Sequence, residues 1–182
     1  MNMPRLALLY MTSEGQTKKV MKQIAYCLEQ AGHTVVISDI RHLPDGFTLT
    51  QFDGAVLGCS VRYGKHHAFF RHFLKKHQSE LSQIPGFFYS INLTARKRDR
   101  SEPHNNQYLQ KFLNQTDWQP ELVEVFAGAL LYTRYNLVDR FMIQLIMKMT
   151  GGPTDPSQDT EFTDWKKVNN FAKTVGQTMY RL

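Results

Sequence analysis

Cysteine is nearly absent from this 182-residue chain, where Cys27 and Cys59 are the two present. Two thiols cannot build the disulfide framework of a small secreted fold, and neither sits in a CxxC pair, so both read as small buried hydrophobes. Long apolar runs are missing too. No stretch reaches the roughly 18 residues that a membrane-spanning helix needs. The opening MNMPRLALLYMTSEG has no small-residue cleavage site behind a charged start, so it reads as a first strand, and the chain is expected in the cytoplasm. Neither G-x-G-x-x-G nor G-x-x-x-x-G-K-[ST] occurs, which excludes a dinucleotide turn and a nucleotide-hydrolase loop. HExxH and matched Cys/His sets are also missing. His67, His72 and His77 advance five residues at a time and drift around a helix instead of sharing a face, so no metal site is expected.

Acidic residues are in deficit: 16 Asp+Glu stand against 22 Lys+Arg, a formal charge of +6. The resulting pI near 9.3 suits an anionic partner, whether nucleic acid, anionic lipid, or a phosphate or polycarboxylate ligand. No zinc finger, homeodomain-like or RNA-recognition motif supports the first of these.

The apolar pattern alternates between strand-like and helix-like blocks, with no linker and no internal repeat. Residues 5–11, 34–40, 53–59, 87–93 and 122–131 read as five strands. Helical stripes fall between them: Val20, Met21, Ile24, Ala25 and Leu28, then Phe70, Phe73, Leu74, His77 and Leu81, then a segment near 104–117. A last helix turns Trp165, Val168, Phe171, Ala172 and Val175 inward. Alternation of this kind implies parallel strands joined by right-handed crossovers, an α/β doubly wound sheet. Ligands in such sheets gather at the carboxyl ends of the strands, which points to the loops after strands one, three and four.

The first of these loops reads Thr12-Ser13-Glu14-Gly15-Gln16-Thr17 and runs into a helix, whose N-terminal amides suit a single phosphate. Gly15 allows close backbone approach, and Thr12, Ser13 and Thr17 offer hydroxyls. A carboxylate faces a dianion badly, so the Glu14 side chain is expected to point away and its amide to serve. An ordinary helix cap explains the same residues equally well. The second loop, Gly58 to His67, contains Ser60, Arg62, Tyr63 and Gly64. Tyr63 is of a type to cover a flat ligand, and the two glycines would let amides reach its edge. The third, Ser90-Ile91-Asn92-Leu93, continues into the basic run Arg96, Lys97, Arg98 and Arg100, which reads either as a solvated loop or as a carboxylate or phosphate clamp.

After strand five comes an unusual helix, residues 134–150. Asn136, Arg140, Gln144 and Lys148 make one polar stripe with Asp139 beside it, and the rest of the surface is Leu, Ile, Val, Phe and Met. Its apolar segment is about 22 Å long, short of a hydrocarbon core of about 30 Å. Three roles fit it: lying in a membrane interface, packing in the core, or joining two copies as a homo-oligomer.

TSEGQT resembles the flavodoxin pattern [ST]-x-T-G-x-T, which holds the phosphate of FMN, with Glu14 replacing its second hydroxyl residue. SVRYGKHHAFFRHFLKKH, FYSINLTARK, the insert GALLYTRYNLVDRFMIQLIMKMTGG and the closing TDWKKVNNFA extend the likeness over nearly the whole chain. Together they resemble the flavodoxin-like, quinone-dependent protoporphyrinogen IX dehydrogenases of bacterial haem synthesis. The resemblance implies one flavodoxin-like domain over 1–182 with sheet order 2-1-3-4-5 and an insert at about 132–160. It implies FMN held by Thr12 to Thr17, with Ser60, Arg62, Tyr63, Gly64, Ser90, Ile91, Asn92 and Leu93 around the ring. It further implies six-electron oxidation of protoporphyrinogen IX in three two-electron steps, electrons passing to menaquinone or ubiquinone. No side chain is assigned to catalysis, because the chemistry belongs to the flavin. Arg62, Arg96 and Lys97 are the expected clamps for substrate carboxylates. The chain is expected to sit peripherally on the inner membrane through the 134–150 helix. Rival expectations are a flavodoxin-type NAD(P)H:quinone reductase and an electron-carrier flavodoxin, the latter disfavoured by the basic charge.

Overall fold

The computed structural model describes residues 3–181. Its elements run β1 (Arg5–Met11), α1 (Gln16–Gln30), β2 (Thr34–Asp39), β3 (Gly54–Arg62), β4 (Lys65–His66), α2 (Ala68–Lys76), α3 (Gln78–Leu81), β5 (Gly86–Asn92) and α4 (Gln107–Leu113). They continue with β6 (Leu122–Ala127), β7 (Ala129–Leu130), α5 (Leu137–Thr150), β8 (Thr160–Glu161) and α6 (Trp165–Met179). The main sheet is ordered β2-β1-β3-β5-β6, and these five strands are parallel. Counted over its long strands this is the expected 2-1-3-4-5; the two-residue β4 folds back antiparallel on β3 and shifts the numbering.

Side chains alternate across the strands and feed two cores. Leu6, Leu8 and Tyr10 face α1 and α6, meeting Val20, Ile24, Leu28, Val168, Phe171 and Val175. Ala7, Leu9 and Met11 face the opposite layer, where Phe70, Phe88, Phe112 and Trp118 pack together. The inward faces expected for α1 and α6 are the buried ones, with Trp165 only half buried.

Among the boundaries that differ from the periodicity, three do so for a clear local reason. The stripe 70–81 is two helices, because His77 closes α2 and bonds through Nδ1 to Glu80 of α3 at 2.7 Å. The helix near 104–117 shortens to α4, since the Asn106 side chain caps it by accepting from Leu109 N and so sets its start. Strand five leaves the sheet at Gly128: Ala129 and Leu130 pair antiparallel with Thr160 and Glu161 instead. This β7–β8 clasp brackets the excursion that carries α5. Beneath that helix lies a small third core of Leu130, Tyr132 and Met147.

Candidate functional site

The carboxyl ends of β1, β3 and β5 and the inner side of α5 enclose one partly open cavity of about 250 Å³. Its floor is the first loop. Gly15 takes φ 99°, a backbone region that favours glycine, and caps α1 without any side-chain cap on the helix amides. Gly15 N donates to Thr12 Oγ1 at 2.9 Å, which closes the turn. Thr17 lines the cavity, is fully buried, and its Oγ1 has no hydrogen-bond partner among the described residues. A buried hydroxyl left unpaired costs about 1–3 kcal/mol, so this atom has the character of a ligand contact.

Tyr89 supports that loop from below. Its fully buried hydroxyl donates to the Thr17 carbonyl at 2.8 Å. The ring fits because its β3 neighbour is Gly58; a Cβ there would lie 2.2 Å from Tyr89 Cζ. Gly58 therefore makes room for Tyr89, where the sequence had suggested an opening for a ligand edge.

One wall is the β3–β4 hairpin. Val61 pairs with His66 and Arg62 with Lys65, leaving Tyr63-Gly64 as a two-residue turn with φ 50° and 74°. Two successive positive φ values match the twist of the flanking strands, and the turn holds the exposed Tyr63 ring beside the cavity. The other wall is the end of β5, where Asn92 and Asn106 exchange amide hydrogen bonds at 3.2 Å and Asn92 Oδ1 accepts from Ala95 N. This buried pair fixes the path of Leu93 to Arg96.

The roof is α5, and arginines clip it at both ends. Arg62 Nη2 donates to Asp139 Oδ2, and its Nη1 lies 3.3 Å from the Glu14 carboxylate. The Tyr63 hydroxyl also donates to Asp139. At the far end Arg96 Nη2 donates to Thr150 Oγ1 at 2.9 Å, while its Nη1 donates to Leu93 O at 3.0 Å. A cation at a helix C-terminus also meets the negative end of the helix dipole. Arg134 reaches back to the first loop, where Nη1 donates to Glu14 O at 2.6 Å. Burial pushes the Glu14 carboxyl up; Arg62 opposes this, and Asp139 adds to it.

The outer side of α5 is uncovered. Exposure reaches 69% at Phe141, 78% at Met149 and 80% at Leu137, with Val138, Met142, Leu145 and Ile146 also exposed. The half-buried part of the polar stripe, Arg140 and Gln144, faces the protein. Among the described residues no helix is long and apolar enough to cross a membrane.

A flavodoxin-domain family model matches residues 7–157. Relatives from two organisms carry the name protoporphyrinogen IX dehydrogenase [quinone]. The one from Leishmania major is 47% identical over 171 residues, 93% of this chain and 73% of the relative. The one from Escherichia coli K12 is 40% identical over 168 residues, 92% of both chains. The chain belongs to the flavodoxin-domain family of protoporphyrinogen IX dehydrogenases. Its backbone also matches an archaeal flavodoxin at TM-score 0.55 and 12% identity, covering 97% of this chain and 99% of that one. A Bacillus cereus flavodoxin matches at 0.53 and 13%, covering 93% and 95%. These likenesses establish the fold.

Within this family fold, most of the residues singled out from sequence converge. Thr12, Glu14, Gln16 and Thr17 line the cavity, as do Ser60, Arg62, Tyr63 and Gly64. So do Ile91, Asn92, Leu93, Arg96 and Lys97. Ser13 and Gly15 lie in the same loop without lining it. Ser90 is placed elsewhere: it is fully buried and bonds to His66 Nε2 at 2.8 Å. The Glu14 carboxylate is directed to Arg62, although its own amide is also a partner. Of the expected carboxylate clamps, Arg62 and Arg96 are taken up by α5, which leaves Lys97 without a side-chain partner among the described residues.

Sequence reasoning missed Asp139, Tyr108 and Tyr135 as cavity residues, and Arg134 as a contact of the first loop. Asp139 carried a signal: it is the sole acid in α5, only 7% exposed, and such a group needs a partner. The histidines have local duties: His66 holds Ser90, and His67 caps α2 by accepting from Phe69 N. Among the described residues no group of three His, Cys, Asp or Glu side chains could hold a metal ion.

Proposed function

We propose that the chain binds FMN and oxidises protoporphyrinogen IX to protoporphyrin IX, delivering the electrons to a membrane quinone, menaquinone or ubiquinone, from the cytoplasmic face of the membrane. The unpartnered Thr17 hydroxyl, the uncapped amides of α1 and the turn at Gly15 fit a terminal phosphate. The Tyr63 ring and the β5 loop fit the two sides of a flat ring system. FMN supplies the redox chemistry, taking two electrons at a time from a carbon–hydrogen bond and passing them to a quinone. Removal of six electrons and six hydrogens therefore takes three turnovers.

The protein's part is placement. The first loop and Arg134 anchor the phosphate end. Tyr63, braced by Asp139, limits the space above the ring. Met142, Ile143, Ile146 and Met147 give the porphyrinogen an apolar, adaptable surface and exclude water from it. No side chain is required as a general base.

The observation that carries this reading is the double membership of Met142 and Ile146. Both line the cavity, and both belong to the exposed apolar face of α5. The cavity mouth thus lies at the edge of a lipophilic surface, with Lys148 exposed beside it. A bilayer of anionic lipid covers such a face, places the basic side chains at headgroup level, and puts the quinone next to the cavity.

The test is an anaerobic titration of the FMN-loaded protein with protoporphyrinogen IX. Flavin absorbance should bleach as porphyrin fluorescence rises, and a soluble quinone should restore the absorbance. Flavin that stays oxidised with this substrate but bleaches with NADPH would replace the reading with an NAD(P)H:quinone reductase.

A further inference from the structure

A second concavity of about 140 Å³ adjoins the cavity and shares Gly64 and Tyr108 with it. Its lining is strongly cationic: Lys65 from β4, Arg71 from α2 and Lys111 from α4 converge there. Three separate elements contribute these charges, so the cluster is a product of the tertiary fold and not of one helix face. Lys65, Arg71 and Lys111 make no ion pair among the described residues. Asp117, which lines the next groove together with Arg71, forms no ion pair with it either. Gathering three unneutralised cations around a concavity costs Coulomb energy that an anionic ligand would recover.

The shape between the two concavities is specific. The Gly64 turn and the Tyr108 ring form a low sill: a Cβ on Gly64 would lie 3.6 Å from Tyr108 Cε1. On one side of the sill α5 gives the cavity an apolar wall of Met142, Ile143, Ile146 and Met147 among the polar and charged groups of the loops; on the other the charged lining is cationic throughout. Of the cations lining the main cavity, Arg62 and Arg96 are occupied by Asp139, Glu14, Leu93 and Thr150, Arg100 lies 3.7 Å from Asp99, and Lys97 alone makes no ion pair among the described residues.

We propose that this cationic annex binds the carboxylates of the substrate, with the macrocycle in the apolar cavity and its two propionates reaching past the Gly64–Tyr108 sill to Lys65, Arg71 and Lys111. The assignment rests on the substrate reading above. It suits the chemistry, because the tetrapyrrole carries both propionates on one edge and apolar substituents on the opposite one. It also orients the molecule: the apolar edge points to α5, the carboxylate edge away from it.

The test compares protoporphyrinogen IX with its dimethyl ester, on the FMN-loaded protein and on the triple variant Lys65→Ala, Arg71→Ala, Lys111→Ala. For the unaltered protein the ester should show a KM raised about tenfold or more, since charge-assisted contacts are lost. The triple variant should raise KM for the diacid to about the ester's value, with kcat, the flavin spectrum and reoxidation by quinone unchanged. Its KM for the ester should not move. Equal KM values for diacid and ester, or a variant that weakens both alike, would overturn the annex. If neither compound bleaches the flavin of the unaltered protein, the substrate reading itself fails and the annex falls with it.

Discussion

Arg62 and Asp139 lie 77 residues apart in the chain and form a charge-assisted hydrogen bond that joins the β3 hairpin to α5. The Asp139 side chain is only 9% exposed, whereas that of Arg62 is 43% exposed and shared with Glu14. One carboxylate thus receives Arg62, Tyr63 and the Asn136 amide. Arg96 repeats the arrangement at Thr150, so the two loops framing the cavity also hold its roof.

Asp139→Ala should loosen that roof. Leaving Arg62 and the Tyr63 hydroxyl without their acceptor costs about 2 kcal/mol. Amide hydrogen exchange in α5 should accelerate about thirtyfold, the conversion of that energy, while α1 and β1 remain protected. Unchanged protection in α5 would show that its apolar contacts alone hold it.

Thr17→Val separates ligand binding from stability. In the flavin-free protein the unpaired hydroxyl stabilises nothing, so the valine variant should melt at the same temperature or slightly higher. FMN affinity should fall by about tenfold or more, because a hydrogen bond to a charged group contributes about 1.5–3 kcal/mol. Calorimetric titration of FMN into both proteins reads this directly; equal affinities would remove Thr17 from the phosphate site.

Leu137→Glu with Phe141→Glu should abolish sedimentation with vesicles containing anionic lipid, because two carboxylates cannot enter the acyl region cheaply. Both positions are mostly exposed, so the melting temperature should stay within a few degrees and anaerobic flavin bleaching should persist. Retained vesicle binding would assign the face to another occupant, with a second copy as the first alternative; analytical ultracentrifugation distinguishes the two.

His66 should make the fold acid-sensitive. Burial, with Arg71 adding to it, holds its imidazole down to about 4, against an ordinary value of 6.5. Between these two values the unfolded chain binds a proton that the folded chain refuses, so stability is fully present above pH 6.5 and is lost as pH falls towards 4. The loss amounts to about 3 kcal/mol. His33, also lowered by burial, acts in the same direction. Urea midpoints measured from pH 7 to 4 should fall, and His66→Gln should flatten the curve in part. An identical slope in the variant would show that His66 is protonated in the folded state.

The periodicity of the apolar residues determined the parallel sheet and the inward faces of α1 and α6, because those features depend on repeat spacing and crossover handedness; the strand order came from the family resemblance carried by TSEGQT and the later motifs. The run from Thr12 to Thr17 was legible for a similar reason: a helix N-terminus is a local object whose donors follow from the chain itself. Spacing also revealed that α5 is more apolar than a sheet-packing helix needs. It could not tell which side of that helix would face water. Asp139 decided it, by binding Arg62 and Tyr63 and turning Arg140 and Gln144, the middle of the polar stripe, towards the protein, a contact between distant segments that no local pattern encodes. The same limit hid that Arg62 and Arg96, which line the cavity, also bond to α5, and that Gly58 makes room for Tyr89. It also gathered Lys65, Arg71 and Lys111 from three elements into one cationic annex. Local sequence sets which elements form and which residues are apolar, but which charges neutralise one another depends on packing, where distance and burial set their strength.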